Sequence, residues 1–176
     1  QELRERKPDP KPWYRARILI AGSEIDDPEF TKMCEMAGGL VVADRYCFGS
    51  MPGREEIPLE EGKDVLQSIA DYYMWRNQCP RAMGPENIIA RKKYIFDLAE
   101  KYRADGIIVE NMKFCEYWGY ERALASHVIT HDYGIPSVAV DRQNATGGNG
   151  QLRTRVQAFV ESLEMKQLRS AQKEDN

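Results

Sequence analysis

Thiols are the side chains in this sequence with the widest chemical range, and there are four: Cys34, Cys47, Cys79 and Cys115. Their spacings of 13, 32 and 36 residues contain no C-x-x-C pair, which disfavours a zinc ribbon or a small ferredoxin. Four are also few for a secreted disulfide scaffold. Cys47 lies in Asp44-Arg-Tyr-Cys47-Phe-Gly-Ser50, just after a short apolar run, and Cys115 lies in Asn111-Met-Lys-Phe-Cys115-Glu116, just after another. Cys79, in Asn77-Gln-Cys79-Pro80-Arg81, falls between two helical segments, on a loop able to return to the same edge. Thiols far apart in sequence can meet on neighbouring loops. Three together suit a soft metal centre, because thiolate sulfur binds iron strongly. Spacing alone leaves a second reading open, in which each is a small buried hydrophobe. Cys34 differs: with Phe30, Met33 and Ala37 it fits one face of an amphipathic helix, a core position.

Other groups carry weaker chemistry. His127 and His131 are four apart on a helix and could share a zinc ion, but no third ligand or general-base glutamate accompanies them. They read as ordinary helix histidines near a helix C-terminus. The segment Asn144-Ala-Thr-Gly-Gly-Asn-Gly150-Gln151 could turn free N–H groups toward a phosphate. It lacks the Gly-Lys-Ser/Thr of a nucleotide-hydrolysing loop and is not G-x-G-x-x-G, so a plain turn or a contact with a coenzyme or partner fits it. Glu24, Asp26, Asp27, Glu110 and Glu116 cluster at the ends of apolar runs, as carboxylates do in phosphorylated receiver domains. Glu110 and Asp141-Arg142 match that pattern poorly. Tyr46, Phe48, Phe114, Tyr117, Trp118 and Tyr120 flank the two cysteine loops, where they either wall an apolar pocket or pack beneath helices.

These residues must be positioned by the elements between them. Short apolar runs at residues 17–21, 40–43, 106–109 and 136–140 predict strands, the first closing on Gly22. Helices are expected from Asp27-Pro28 to Gly38, over 59–78, 85–102 and 119–133, and from Gln151 to about Met165 with Leu152, Val156, Phe159, Val160 and Leu163 on one face. Such alternation predicts an α/β fold: an open parallel sheet of about four strands with helices on both faces, flavodoxin-like or Rossmann-like. Ligands of such sheets sit outside the carboxyl ends of the strands, here the loops 22–27, 44–53, 110–118 and 141–150. Residues 1–16, rich in charge and carrying Pro8, Pro10 and Pro12, read as a linker from an upstream domain. Residues 17–165 form the α/β domain and 166–176 a polar tail expected to fray. With 176 residues, 42% hydrophobic and 30% charged, the chain suffices for one compact domain. A net charge of -3 gives no basic excess for nucleic acid, and a mean hydropathy of -0.61 with no long apolar run gives no membrane span.

Several pieces taken together resemble the C-terminal half of the 2-hydroxyacyl-CoA dehydratase / benzoyl-CoA reductase family. They are Ala104-Asp-Gly-Ile-Ile-Val109 with Lys113-Phe-Cys115, then Tyr133-Gly-Ile-Pro-Ser-Val138, then Gly150-Gln-Leu-Arg-Thr-Arg-Val-Gln-Ala-Phe159. The resemblance covers roughly residues 17–165. It implies an iron–sulfur cluster held between two similar α/β domains, with Cys115 as the best-matched ligand. Cys47 and Cys79 resemble the additional cysteines of the benzoyl-CoA reductase branch, so the implied cofactor is a [4Fe-4S] or a double-cubane [8Fe-9S] cluster. The implied activity is that of an oxidoreductase subunit reducing an aromatic ring held as a CoA thioester, in anaerobic aromatic degradation. Its implied partners are a homologous cluster-binding subunit, an ATP-hydrolysing iron–sulfur activator and an aromatic acyl-CoA, in the cytoplasm. The alternatives are a 2-hydroxyacyl-CoA dehydratase subunit, which eliminates water by a radical route, and a non-catalytic α/β scaffold. No residue of the chain is assigned a catalytic role by the resemblance.

Overall fold

The computed structural model describes residues 1–7, 13–51, 55–75, 79–143 and 150–174. A short helix α1 (Glu2–Glu5) precedes β1 (Ala16–Gly22), α2 (Pro28–Met36), β2 (Gly39–Arg45), α3 (Val65–Trp75), α4 (Pro85–Lys101), β3 (Gly106–Met112), α5 (Glu116–His131), β4 (Ser137–Arg142) and α6 (Gly150–Glu174). The four strands form one all-parallel sheet in the order β2-β1-β3-β4, the doubly wound arrangement expected from the alternating pattern.

Period-two alternation sorts the apolar residues onto two faces. Ile18, Ile20, Ile108 and Val140 meet Phe30 and Cys34 of α2 and Leu152, Val156, Val160 and Leu163 of α6. Leu19, Ala21, Ile107 and Val109 meet Ile95 and Ala99 of α4 and Trp118, Ala125 and Ile129 of α5. The central strands β1 and β3 are covered on both sides and so are buried almost throughout, while the edge strands β2 and β4 are mostly half-buried. Each isoleucine buried this way contributes about 1.5–3 kcal/mol of apolar transfer, so the two faces carry the stability of the domain.

Local signals set the ends of the elements. The Asp27 carboxylate accepts from the Glu29 N–H at 3.0 Å and Pro28 occupies the first turn, which starts α2. Gly38, with φ +93, makes the left-handed turn from α2 into β2. Gly22 has a different task. A Cβ there would run into the Glu110 carbonyl, so glycine permits β1 and β3 to approach closely where they leave the sheet.

Several boundaries differ from those read in the sequence. β2, β3 and β4 continue to Arg45, Met112 and Arg142, so Arg45, Glu110 and Arg142 belong to strands rather than to loops. Polar residues end an apolar run, but buried ion pairing and ladder bonds keep these in the sheet. α5 begins at Glu116, earlier than 119, and α3 (Val65–Trp75) begins later than the expected 59, while residues 76–78 of that expected helix lie outside the described residues. The segment from Lys166, expected to fray, continues α6 to Glu174. Its Gln, Leu, Arg, Ala and Lys residues are good helix formers, and propagation from a docked helix adds a hydrogen bond per residue. The proline-rich stretch 8–12 and the Asn144–Asn149 part of the glycine-rich segment lie outside the described residues.

Candidate metal centre at the carboxyl edge of the sheet

β1 departs toward β2 on one side, and the chain later returns to place β3 on its other side. The gap between the carboxyl ends of β1 and β3 is therefore the switch point of the sheet, where doubly wound folds bind ligands. Ser23 and Glu110 meet there. The Glu110 carboxylate accepts from the Ser23 N–H at 3.1 Å and from its hydroxyl at 2.8 Å. The Ser23 Oγ in turn accepts from the Met112 N–H at 2.6 Å. Arg142 brings its Nε to 2.9 Å from Glu110 Oε1, with both side chains fully buried. It also donates to the main-chain carbonyls of Glu24 and Gln143. Desolvation pushes the Glu110 carboxyl up to about 7, outweighing the Ser23 hydrogen bonds and the Arg142 charge that favour its ionised form.

This polar hub holds two cysteine loops by their backbones. The Cys47 N–H donates to the Ser23 carbonyl at 3.1 Å. The Cys115 N–H donates to the carbonyl of Met112 at 3.0 Å, the residue whose own N–H donates to the Ser23 hydroxyl. Asp44 closes the Cys47 loop: its Oδ1 accepts from the Ser50 N–H and its carbonyl from the Ser50 hydroxyl, both at 2.6 Å. Cys115 is the N-cap of α5 and makes no side-chain cap bond, which leaves its sulfur available. Phe114 just before it has φ +73, a conformation uncommon for a side chain of this size, and is 99% exposed.

The thiols themselves divide as three and one. Burial raises the Cys47 thiol first, and the Cys79 and Cys115 thiols add to the rise by charge repulsion, so both lie within electrostatic reach of Cys47. The Trp118 indole and the Arg45 guanidinium act in the opposite sense. Arg45 is fully buried, its guanidinium carbon 5.1 Å from the centre of the buried Trp118 ring. Cys47, Cys79 and Cys115 are each half-buried. Cys34 is fully buried among the α2/α6 core residues on the opposite face of the sheet from Cys115, and its thiol is pushed up to about 12, chiefly by burial and secondarily by Glu35.

Thiolate is a donor type that suits iron, and Cys47 has the Cys79 and Cys115 thiols and the buried Arg45 charge within electrostatic reach. Among the described residues, no three His, Cys, Asp or Glu side chains close on a single ion position. In a cluster each thiolate binds its own iron, so its sulfurs stand farther apart than around a single ion. His127 and His131 stack with ring centroids 4.3 Å apart and belong to no such group. The aromatics divide: Trp118 packs in the core, whereas Phe48, Phe114, Tyr117 and Tyr120 are exposed.

Sequence reasoning placed Ser23, Arg45 and Arg142 in the loops of this edge without giving them a role, and it did not single out Arg91. Arg91 had a readable signal, because it falls on the stripe of α4 that continues through Ile95 and Ala99. Arg45 and Arg142 had a weaker one, each following an acidic residue at the end of a strand.

The chain matches the family described as 2-hydroxyglutaryl-CoA dehydratase, D-component, over residues 1–163, and it belongs to that family. It is 30% identical over 160 residues to an Escherichia coli (strain K12) protein provisionally named dehydratase subunit YjiM, covering 88% of this chain and 38% of that protein. It is 28% identical over 155 residues to the (R)-phenyllactyl-CoA dehydratase beta subunit of Clostridium sporogenes, covering 88% and 40%. It is 26% identical over 153 residues to the beta subunit of (R)-2-hydroxyglutaryl-CoA dehydratase of Acidaminococcus fermentans, covering 84% and 38%. The chain thus spans about two fifths of the length of the curated relatives it matches. All three relatives carry dehydratase names, and none is named as a reductase. Among the described residues, no helix is long and apolar enough to cross a membrane.

Proposed function

We propose that this chain is the thiolate-bearing α/β portion of a 2-hydroxyacyl-CoA dehydratase component. In that role Cys47, Cys79 and Cys115 serve as ligands to a [4Fe-4S] cluster and Cys34 stays structural. The observation that supports the reading is that Cys47, just after β2, interacts electrostatically with both Cys79 and Cys115, in a chain of this family. When bound, the cluster supplies one-electron chemistry of the kind that lets water leave a 2-hydroxyacyl thioester. The chain's own residues hold that centre. Ser23 and Glu110 fix the loops of Cys47 and Cys115, and Arg45 supplies a buried positive charge.

The remainder of such a component, a partner subunit and an activator delivering electrons at the expense of ATP complete the system in this proposal. Ring reduction of an aromatic acyl-CoA, the activity expected from Cys47 and Cys79, fits less well, because the relatives are dehydratase subunits. Product analysis separates the two. Protein co-produced anaerobically with its genomic neighbours is supplied with a 2-hydroxyacyl-CoA and, separately, with benzoyl-CoA. Formation of the 2-enoyl-CoA from the first supports the dehydratase reading, and ring reduction of the second without dehydration of the first overturns it.

A further inference from the structure

We propose that Arg91 is a positioning residue for the thiol site, fixing the turn that carries Cys79 against α5 and so setting the distance of Cys79 from Cys47 and Cys115. The inference rests on the reading of these thiols as one ligand set. Cys47 and Cys115 follow directly from strands, but Cys79 sits on the irregular connection between α3 and α4, where no strand end determines its place. Arg91 lies in the middle of α4 and is 1% exposed. A guanidinium buried there is costly unless its donors are used. Its Nη1 donates to the Ala82 carbonyl at 2.7 Å, and its Nη2 reaches Glu121 Oε2 at 3.2 Å, a carboxylate that is itself buried.

The Ala82 N–H closes a turn onto the Cys79 carbonyl at 3.0 Å, so Arg91 grips the far end of the turn that Cys79 begins. Glu121 stands on α5, the helix whose N-cap is Cys115. One planar guanidinium therefore joins α4, the Cys79 turn and the Cys115 helix. Its two branches point in fixed directions, which a lysine ammonium cannot reproduce at both acceptors together. Arg91 acts on Cys79 through this turn, with Glu121 of α5 as its fixed anchor.

Phenylarsine oxide, which bridges two thiols, reads the spacing without iron or turnover. The purified, reduced chain is compared in two backgrounds, both carrying Cys34→Ala. One has Cys115→Ala and keeps Cys47 with Cys79, and the other has Cys79→Ala and keeps Cys47 with Cys115. Arg91→Met should weaken arsenical binding by the Cys47–Cys79 pair by about tenfold or more, since small displacements of a reacting group cost large factors in effective concentration. It should leave the Cys47–Cys115 pair within about twofold. Arg91→Lys should fall between wild type and Arg91→Met, and it carries the same comparison if Arg91→Met does not fold. Equal weakening of both pairs, or no change in either, overturns the inference. Failure of either pair to bind the arsenical with Arg91 intact overturns instead the reading of the three thiols as one set.

Discussion

Glu110 is a carboxyl group set where only Ser23 and Arg142 replace the lost water, and desolvation wins: its proton is held up to about 7 in the folded chain against 4.5 for the free group. The folded state therefore binds this proton more tightly than the unfolded state between those two values. The stabilisation is complete below about 4.5 and is lost as pH rises through about 7. The stability difference between wild type and Glu110→Gln should decline across that window and level off above it, as measured by chemical unfolding at a series of pH values. A difference that rises with pH would show that Arg142 keeps Glu110 ionised. Cys34 makes the opposite case to the other thiols. Its full burial and raised thiol mean that iodoacetamide should modify Cys47, Cys79 and Cys115 well before Cys34, a ranking read by mass spectrometry of peptides. The separation of Cys34 from the other three was legible in sequence from the helical spacing of Phe30, Cys34 and Ala37. The buried arginines were not, because a charged residue normally marks the end of an apolar run, and only the ion pair or aromatic ring opposite makes its burial tolerable.

Strands placed from apolar runs came out in the right number, order of type and direction, but too short at the end that matters. Ladder bonds extend β3 through Glu110 and Asn111 to Met112, paired with Val140, Asp141 and Arg142 of β4. Hydropathy cannot report bonds made by the backbone, so the polar residues of the carboxyl edge read as loop. Ser23 is the joint between these extended ends. Its hydroxyl both donates to Glu110 and accepts from Met112, and its carbonyl holds Cys47. Ser23→Ala removes one of the two Ser23 bonds to Glu110 Oε2 and leaves the Met112 N–H without its hydroxyl acceptor, and should cost about 1–3 kcal/mol of unfolding free energy. Ser23→Thr retains the hydroxyl, and should recover much of that loss if the added methyl can be accommodated. Equal stability of Ser23→Ala and wild type in urea would mean that the hub does not tie these strands.

Taken whole, the molecule is a doubly wound sheet with a core on each face, with the half-buried Cys47 and Cys115 following β2 and β3 at its carboxyl edge and the half-buried Cys79 between α3 and α4. The fold class was legible because alternation of apolar runs with helical segments leaves few other solutions. The expected convergence of Cys47, Cys79 and Cys115 rests on loop placement, since thirty or more residues separate Cys79 from either neighbour. The direct measurement is anaerobic reconstitution with ferrous iron and sulfide, followed by iron and sulfide content and visible absorption per chain. It is carried out on wild type, Cys34→Ala, Cys47→Ala, Cys79→Ala and Cys115→Ala, with unfolding curves to show that each variant is folded. Wild type and Cys34→Ala should take up iron and sulfide in equal proportion and to the same extent. The other three should each lose most of it, because removing one thiolate opens an iron to solvent. Retention of a full complement by folded Cys115→Ala, or a loss in Cys34→Ala as large as in Cys115→Ala, would contradict the assignment of these three thiols as the cluster's ligands.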